Sequence, residues 1–187
     1  GVFIGFIQSD QPLKSLWIPM SMLNVWRIPL LFFVSGMGVC FAIKKRNWKQ
    51  LLTERARRIL LPFIFGIIFI VPIHFLIWQY YYIQDVSYVL NRSHLWVLGN
   101  IFMYVLILSP LFFYLKRIEN TLMSEKIKKL FGSPLGFLII IASFVIETFV
   151  MKMESFELYA MTTHGFVLGL LAFLFGFLLL YSEAYFW

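Results

Sequence analysis

The chain alternates between long apolar runs and short polar segments. Five runs are long enough, or nearly so, to cross the hydrocarbon core of a membrane, which takes roughly 20 apolar residues. They are residues 26–43, 59–80, 94–115, 133–151 and 162–182. Lipid offers no partner to backbone N–H and C=O groups, so we expect each run to be a helix. The pattern predicts an all-α, polytopic membrane helix bundle of about five complete transmembrane helices, with residues 1–8 as the end of an earlier span.

The composition agrees with this class. Hydrophobic residues make up 61% of the 187 residues and charged residues 13%, whereas soluble domains carry about 25% charged residues. The sequence shows no linker and no internal repeat, so we expect residues 1–187 to form one partial integral-membrane domain. The chain opens without Met inside an apolar run and ends just past another, which indicates a piece of a longer protein.

Several other kinds of site are disfavoured. Cys40 is the single cysteine of the chain, which excludes an internal disulfide. The spacing of His, Cys, Asp and Glu predicts no metal site. The net charge of +7 comes from basic clusters between apolar runs, a pattern that reports membrane orientation rather than a nucleic-acid partner.

Lysine and arginine are distributed unevenly between the two sides of the predicted bundle. Segment 44–58 holds seven of the 16 basic residues and segment 116–131 holds five. Cytoplasmic segments carry such an excess, so both are predicted to be cytoplasmic. The remaining connections, residues 9–25, 81–93 and 152–161, then lie outside.

The stretch "LLTERARRILLP" contains a candidate anion site at the cytoplasmic boundary. Arg55 and Arg58 are three residues apart and share a helix face, whereas Arg57 points elsewhere. Arg offers a bidentate fork to phosphate, so this pair suits an anion. The alternative is that these cations merely fix the orientation of the chain. Pro62 either interrupts a continuous helix or marks its first turn.

Polar residues beside or inside the spans are further candidates. His94 and Trp96 stand in "SHLWVLGN" at the outer mouth of a span, where His titrates near neutral pH and Trp suits the membrane interface. Glu147 must face the bundle or the interface to avoid lipid. His164 heads a stripe of small residues that we interpret as helix packing. The stripe consists of Gly165, Gly169, Ala172 and Gly176.

The span that opens with "WRIPLLFFVSGMG" carries Arg27 at its predicted outer mouth. Ser35, Gly36 and Gly38 fall near the middle of the membrane in the same span. Small residues there let neighbouring helices approach closely, so packing is the preferred interpretation of these three.

Residues 24–115 resemble a known family. The ordered stretches "NVWRIPLLFFVSGMGVCFAIKKRNWKQLLTERARRILLPFIFGIIFIVP" and "HLWVLGNIFMYVL" are similar to the acyltransferase-3 family of integral-membrane acyltransferases, and within it to the glucan biosynthesis protein C branch. The matching features are an R-x-P-L-x-F span with S-G, a short basic segment, R-x-x-R shortly before a proline, and H-L-W. Residues 133–187 are similar only in hydropathy and in their glycine-bearing span.

The resemblance implies an enzyme of the bacterial inner membrane. It would transfer an acyl group from cytoplasmic acyl-CoA, such as succinyl-CoA or acetyl-CoA, to a hydroxyl of a saccharide, here a cell-envelope glucan. Its partners would be membrane lipid, acyl-CoA and the saccharide acceptor, with no metal, and a homo-oligomer is compatible with it. The family's expected base is a first-span histidine in an R-x₁₀-H motif. That motif is absent here, because "GVFIGFI" looks like the segment that follows it, so we expect this piece alone to be inactive.

The resemblance also implies roles for the candidate residues. Arg55 and Arg58 would bind the phosphates of CoA, and Trp96 and Ser35 are further substrate-binding candidates. On this hypothesis both arginines face the interior of the bundle or a cavity.

The catalytic candidates are His94 and Arg27. An imidazole can take the proton of a sugar hydroxyl as that oxygen attacks the thioester. Arg27 would lie close to the segment that follows the missing histidine. Both side chains should then face the interior or a cavity as well.

Two other functions stay open on the sequence. A transporter would use a cavity lined by His74, His94, His164 and Glu147, although we see neither the inverted repeats nor the broken helices that are usual in transporters. A non-catalytic membrane anchor would place the polar residues toward lipid.

Overall fold

Residues 17–82, 84–89, 95–151 and 162–182 are described by the computed structural model. In this part of the chain six helices form and no strand is present. The helices are α1 (Trp17–Lys45), α2 (Trp48–Tyr81), α3 (Trp96–Arg117), α4 (Leu122–Phe131), α5 (Pro134–Val150) and α6 (Thr163–Ser182).

Four helices are long and apolar enough to cross a membrane. They are α2, α3, α6 and the segment Trp26–Lys45 of α1. The helices α4 and α5 pass this test only together, as a pair bent by 75°. The predicted all-α membrane helix bundle is therefore confirmed. The predicted span 133–151, which Glu147 interrupts, corresponds to α5 in this bent pair.

The basic segment after the first span is mostly helical rather than a loop. Helix α1 continues to Lys45, and α2 already begins at Trp48 instead of near residue 59. In the turn between them, the Asn47 backbone N–H donates to Gln50 Oε1 at 3.1 Å, which ties the turn to the first turn of α2. Most of the basic residues are thus part of helix ends rather than of a loop, so the backbone from which their side chains extend has a defined position.

Two prolines shape the middle of α2. The turns Ala56–Leu60 and Gly66–Ile70 are π-helical, and each ends two residues before a proline, Pro62 or Pro72. Proline lacks the N–H that would bond four residues back, and its ring collides with that carbonyl in an α-helix. A widened turn accommodates both effects. The chain therefore remains helical through Pro62, as the first of the two alternatives predicts.

The segment after α2 folds back onto the helix. The carbonyl of Ile68, which an α-helix would pair with the N–H of residue 72, accepts a hydrogen bond from the Tyr88 hydroxyl at 2.7 Å. The buried side chain of Gln79 accepts from the Ser87 N–H at 2.9 Å and donates to the Ser87 hydroxyl at 3.2 Å. This segment thereby satisfies a carbonyl that Pro72 leaves without its helical partner.

The closest helix contact joins α1 to α6. A Cβ atom at Gly36 would overlap the backbone carbonyl of Phe173, and a Cβ atom at Gly176 would overlap the carbonyl of Phe33. The contact is reciprocal, so the two backbones touch where either helix lacks a side chain. The structure confirms the interpretation of these small residues as helix packing.

Aromatic rings join α3 to this helix pair. The Tyr104 ring lies edge-on to Phe32 of α1 at 5.2 Å between centroids, and its hydroxyl donates to the Phe166 carbonyl of α6 at 2.9 Å. Further along, Phe112 stacks on Phe177 at 3.8 Å between centroids. Helix α3 therefore packs in the groove between α1 and α6 through rings that are nearly all buried.

The C-terminal ends of α1, α3 and α6 lie together. Lys116 Nζ donates to the carbonyls of Ile43 at 2.7 Å and Arg46 at 3.3 Å, and so caps the end of α1. The Tyr181 hydroxyl of α6 donates to the Leu115 carbonyl of α3 at 3.1 Å. Both basic segments consequently lie at one end of the bundle, as the prediction that they share one side of the membrane requires.

The glycine contact predicts a specific loss of stability. Gly36→Ala places a methyl group against the backbone of α6. A backbone, unlike a side chain, cannot avoid the overlap by changing rotamer, and overpacking of this kind costs about 1–3 kcal/mol. We expect a lower thermal unfolding midpoint for the purified protein in detergent. Gly38→Ala is the matched control, because its Cβ would meet only Arg55 Nη2, at 3.8 Å. Equal midpoints for the two variants would contradict the described α1–α6 contact.

The Tyr88 hydrogen bond predicts coupling to Pro72. Tyr88→Phe should reduce stability by about 0.5–1.5 kcal/mol, the usual net value of one hydrogen bond. Pro72→Ala returns an N–H to the helix, so the same Tyr88→Phe change should cost less in that background. A double-mutant cycle of unfolding free energies measures the difference, and strictly additive effects would show that Tyr88 does not compensate for the proline.

Candidate functional site

The side chain of Arg55 lies between α2 and α1. It is half-buried, and its guanidinium is next to Gly38: a Cβ atom at that glycine would be 3.8 Å from Arg55 Nη2. Gly36 and Gly38 are about 200° apart around the helix, because each residue advances by about 100°. Thus one face of α1 packs on α6 and the opposite face leaves room for a guanidinium.

Arg55 has no ion-pair or hydrogen-bond partner among the residues described. The carboxylate nearest to it in sequence, Glu54, is shared by two other arginines. Glu54 Oε2 lies 2.6 Å from Arg46 Nε, and Glu54 Oε1 lies 2.8 Å from Arg58 Nη2. Three guanidiniums and one carboxylate leave a net positive charge at this end of α2. A half-buried cation without a partner in a membrane helix is a candidate for anion binding.

The prediction that both Arg55 and Arg58 face the interior or a cavity is wrong for Arg58. Arg58 is 74% exposed and points away from the interior, although it bonds to Glu54. The π-helical turn Ala56–Leu60 begins directly after Arg55, and such a turn holds more residues than an α-helical one. A separation of three residues therefore falls further short of a full turn, and the expected interior position is found only for Arg55.

The other predicted site residues lie elsewhere. Arg27 is exposed on α1, so it does not line the interior, and its orientation offers no support for a catalytic role within this bundle. His94 lies outside the described residues. Trp96 is buried against Phe32, with ring centroids 6.0 Å apart, so it is part of the core and not the interfacial anchor that we predicted. The Ser35 hydroxyl donates to the Leu31 carbonyl of its own helix at 2.7 Å.

A buried polar pair joins α5 to α6. Glu147 Oε1 lies 2.7 Å from His164 Nδ1, and their side chains are 3% and 12% exposed. Glu147 thus faces the bundle, which was one of the two predicted alternatives. The sequence alone could not predict this contact, because the two residues are 17 positions apart and no local pattern links them. The only indication was that each lies as a charged or polar residue in an apolar run. Of the four residues proposed for a transporter cavity, these two meet, while His74 lies beside Phe75 on α2.

Within the described residues, no group of three His, Cys, Asp or Glu side chains could hold a metal ion. Two groups of interacting polar side chains that involve candidate residues are the arginine group around Glu54 and the Glu147–His164 pair between α5 and α6.

Comparison with known proteins identifies the family. The sequence profile of the acyltransferase-3 family, described as an acyltransferase domain, matches residues 2–185, which is all but the first residue and the last two. No curated protein and no solved structure matches the chain. The profile covers the helices long and apolar enough to cross a membrane, which is consistent with a multi-pass membrane acyltransferase. The chain therefore belongs to the acyltransferase-3 family.

Proposed function

We propose that this membrane acyltransferase takes its acyl group from acyl-CoA at the cytoplasmic end of the bundle and transfers it to a saccharide hydroxyl. The observation that supports acyl-CoA as the donor is the half-buried guanidinium of Arg55, which has no ion-pair or hydrogen-bond partner among the residues described. The acceptor, a cell-envelope glucan, and the location in a bacterial inner membrane rest on the resemblance of residues 24–115 to the glucan biosynthesis protein C branch.

Arg55 is suited to a phosphate of CoA for two physical reasons. A guanidinium shielded from water gains more from an anion than an exposed one does, because the local dielectric constant is lower. Its planar fork also matches two phosphate oxygens at once. Gly38 leaves the space in which this fork lies.

Glu54 gives the neighbouring arginines fixed positions. It contacts Arg46 and Arg58 through different oxygens, and each guanidinium has five N–H donors, so donors remain on both for further phosphate oxygens. Arg58 thereby keeps its proposed role in CoA binding, as an outer contact at the solvent-exposed rim. A donor with several phosphates matches a site with three guanidiniums.

The acyl transfer itself needs a base and a route for the proton. The acceptor O–H gives its proton to an imidazole while the oxygen bonds to the thioester carbon, the C–S bond breaks, and the CoA thiolate takes a proton. The imidazole would be the first-span histidine of the family or His94. At about 1.5 Å per residue, Arg27 lies roughly 16 Å along α1 from Gly38. With its phosphates at Arg55, the donor would extend its thioester arm along α1 in that direction.

The donor site predicts the behaviour of two neighbouring arginine variants. Arg55→Ala should reduce kcat/KM for acyl-CoA by about 10- to 100-fold, since a hydrogen bond to a charged group contributes about 1.5–3 kcal/mol. Most of the loss should appear as a higher KM, because phosphate binding is shared by the ground and transition states. The measurement is transfer of radiolabelled acyl groups from acyl-CoA by the full-length protein in membranes.

Arg57→Ala is the matched control for this experiment. It removes the same charge two residues away, from a side chain that is exposed, and should leave KM nearly unchanged. Arg55→Lys should recover only part of the activity, because an ammonium lacks the bidentate fork. Equal losses for Arg55→Ala and Arg57→Ala would mean that the cations act only through their general charge, which would overturn the donor site.

A further inference from the structure

Exposed aromatic side chains cluster at the end of α2 that is predicted to lie outside. The Tyr81 and Tyr82 rings meet edge to face at 5.0 Å between centroids, and the Trp78 ring lies 5.4 Å from the Tyr82 ring. These three rings form the aromatic cluster. Tyr81 is 57% exposed, and the neighbouring Tyr80 is 82% exposed. The cluster is at the opposite end of α2 from the arginine group of the proposed donor site.

The aromatic cluster lies well beyond the contact between α2 and α3. Gly66 of α2 lies against Leu95, the residue that precedes α3. From Gly66 to Tyr81 the helix rises by about 23 Å, at about 1.5 Å per residue. The last turn of α2 is therefore distant from the start of α3, and its exposed rings are open to a large molecule on the outer side.

The segment that follows the cluster is fixed by the buried side chain of Gln79. The side-chain amide of Gln79 accepts from the Ser87 N–H at 2.9 Å and donates to the Ser87 hydroxyl at 3.2 Å. The Gln84 N–H donates to the Gln79 carbonyl at 3.0 Å. Gln84 and Asp85 are exposed within this segment. An amide and a carboxylate are thus presented at defined positions directly after the aromatic rings.

Aromatic rings followed by fixed polar groups match the chemistry of a saccharide. A sugar ring has a face of C–H groups, which can pack on an aromatic ring, and a rim of hydroxyls, which can bond to carboxylate and amide groups. Tyrosine offers a large contact area at a low cost in conformational entropy. Tyrosine and tryptophan also anchor helices at the membrane interface, but anchoring does not need a polar segment fixed next to the rings.

We infer that this outer surface binds the saccharide acceptor. The aromatic cluster packs against sugar rings, and Gln84 and Asp85 bond to sugar hydroxyls. The inference rests on the proposed function and deepens it, because it names the surface that holds the acceptor. The surface takes no part in the acyl transfer step. It raises the local concentration of a long acceptor chain, one of whose hydroxyls reacts at the base.

The test measures binding of a soluble β-glucan hexasaccharide to the purified full-length protein by isothermal titration calorimetry, without acyl-CoA. Tyr81→Ala removes one ring of the aromatic cluster. Ile77→Ala is the matched control, because Ile77 lies one turn earlier on the same face of α2 and is 58% exposed. Thermal unfolding in detergent shows whether each variant is folded.

We expect Tyr81→Ala to raise the Kd for the hexasaccharide by about three- to tenfold, as for the loss of one aromatic contact. Ile77→Ala should leave the Kd unchanged, and Tyr81→Phe, which keeps the ring, should retain most of the affinity. If Tyr81→Ala does not fold, Tyr81→Leu gives the same comparison, because it keeps an apolar side chain without a ring.

Three results would overturn the inference and leave interfacial anchoring as the role of the rings. They are no binding by the unmodified protein, the same Kd for Tyr81→Ala and the unmodified protein, and equal losses in Tyr81→Ala and Ile77→Ala.

A transfer assay separates this inference from the proposed function. Labelled acyl groups are transferred from acyl-CoA to the same hexasaccharide by the full-length protein. We expect Tyr81→Ala to raise the KM for the saccharide more than it changes kcat, because the ring contacts the ground and transition states alike. Transfer with an unchanged KM would contradict the inference and leave the proposed function in place. Saccharide binding without acyl transfer would contradict the proposed function and leave the binding surface in place.

Discussion

The bundle depends on the backbone contact between α1 and α6. Gly36 and Gly176 each lie against a carbonyl of the other helix, where any Cβ atom would overlap. In a membrane, apolar side chains gain little from leaving lipid, so close packing and polar contacts must hold the helices together. The Tyr104 ring and its hydrogen bond to the Phe166 carbonyl then add α3 to the pair.

This contact also determines which face of α1 is left open to side chains from other helices. The face at Gly38 is turned away from α6 and receives the guanidinium of Arg55. The end of α1, capped by Lys116, meets the ends of α3 and α6. In our account the face of α1 at Gly38 binds the acyl donor through Arg55.

The sequence predicted the features that depend on local composition. Hydropathy gave the all-α membrane class and the approximate spans, and the lysine and arginine counts indicated which segments lie at one end. Features that depend on hydrogen-bond register or on distant contacts were not accessible in this way. Arg58 is exposed although Arg55, three residues earlier, is half-buried, and the π-helical turn that follows Arg55 cannot be seen in the residue spacing. Likewise, the pairing of Glu147 with His164 and the burial of Trp96 arise from contacts between separate helices.

The central claim is that the guanidinium of Arg55 and its neighbours recognise the phosphates of the acyl donor. Equilibrium binding of CoA and of pantetheine, which carries no phosphate, to the purified full-length protein measures this directly and without turnover. We predict that CoA binds at least about tenfold more tightly, a difference of about 1.4 kcal/mol, and that high salt reduces this difference. Equal affinity for the two compounds would contradict the account.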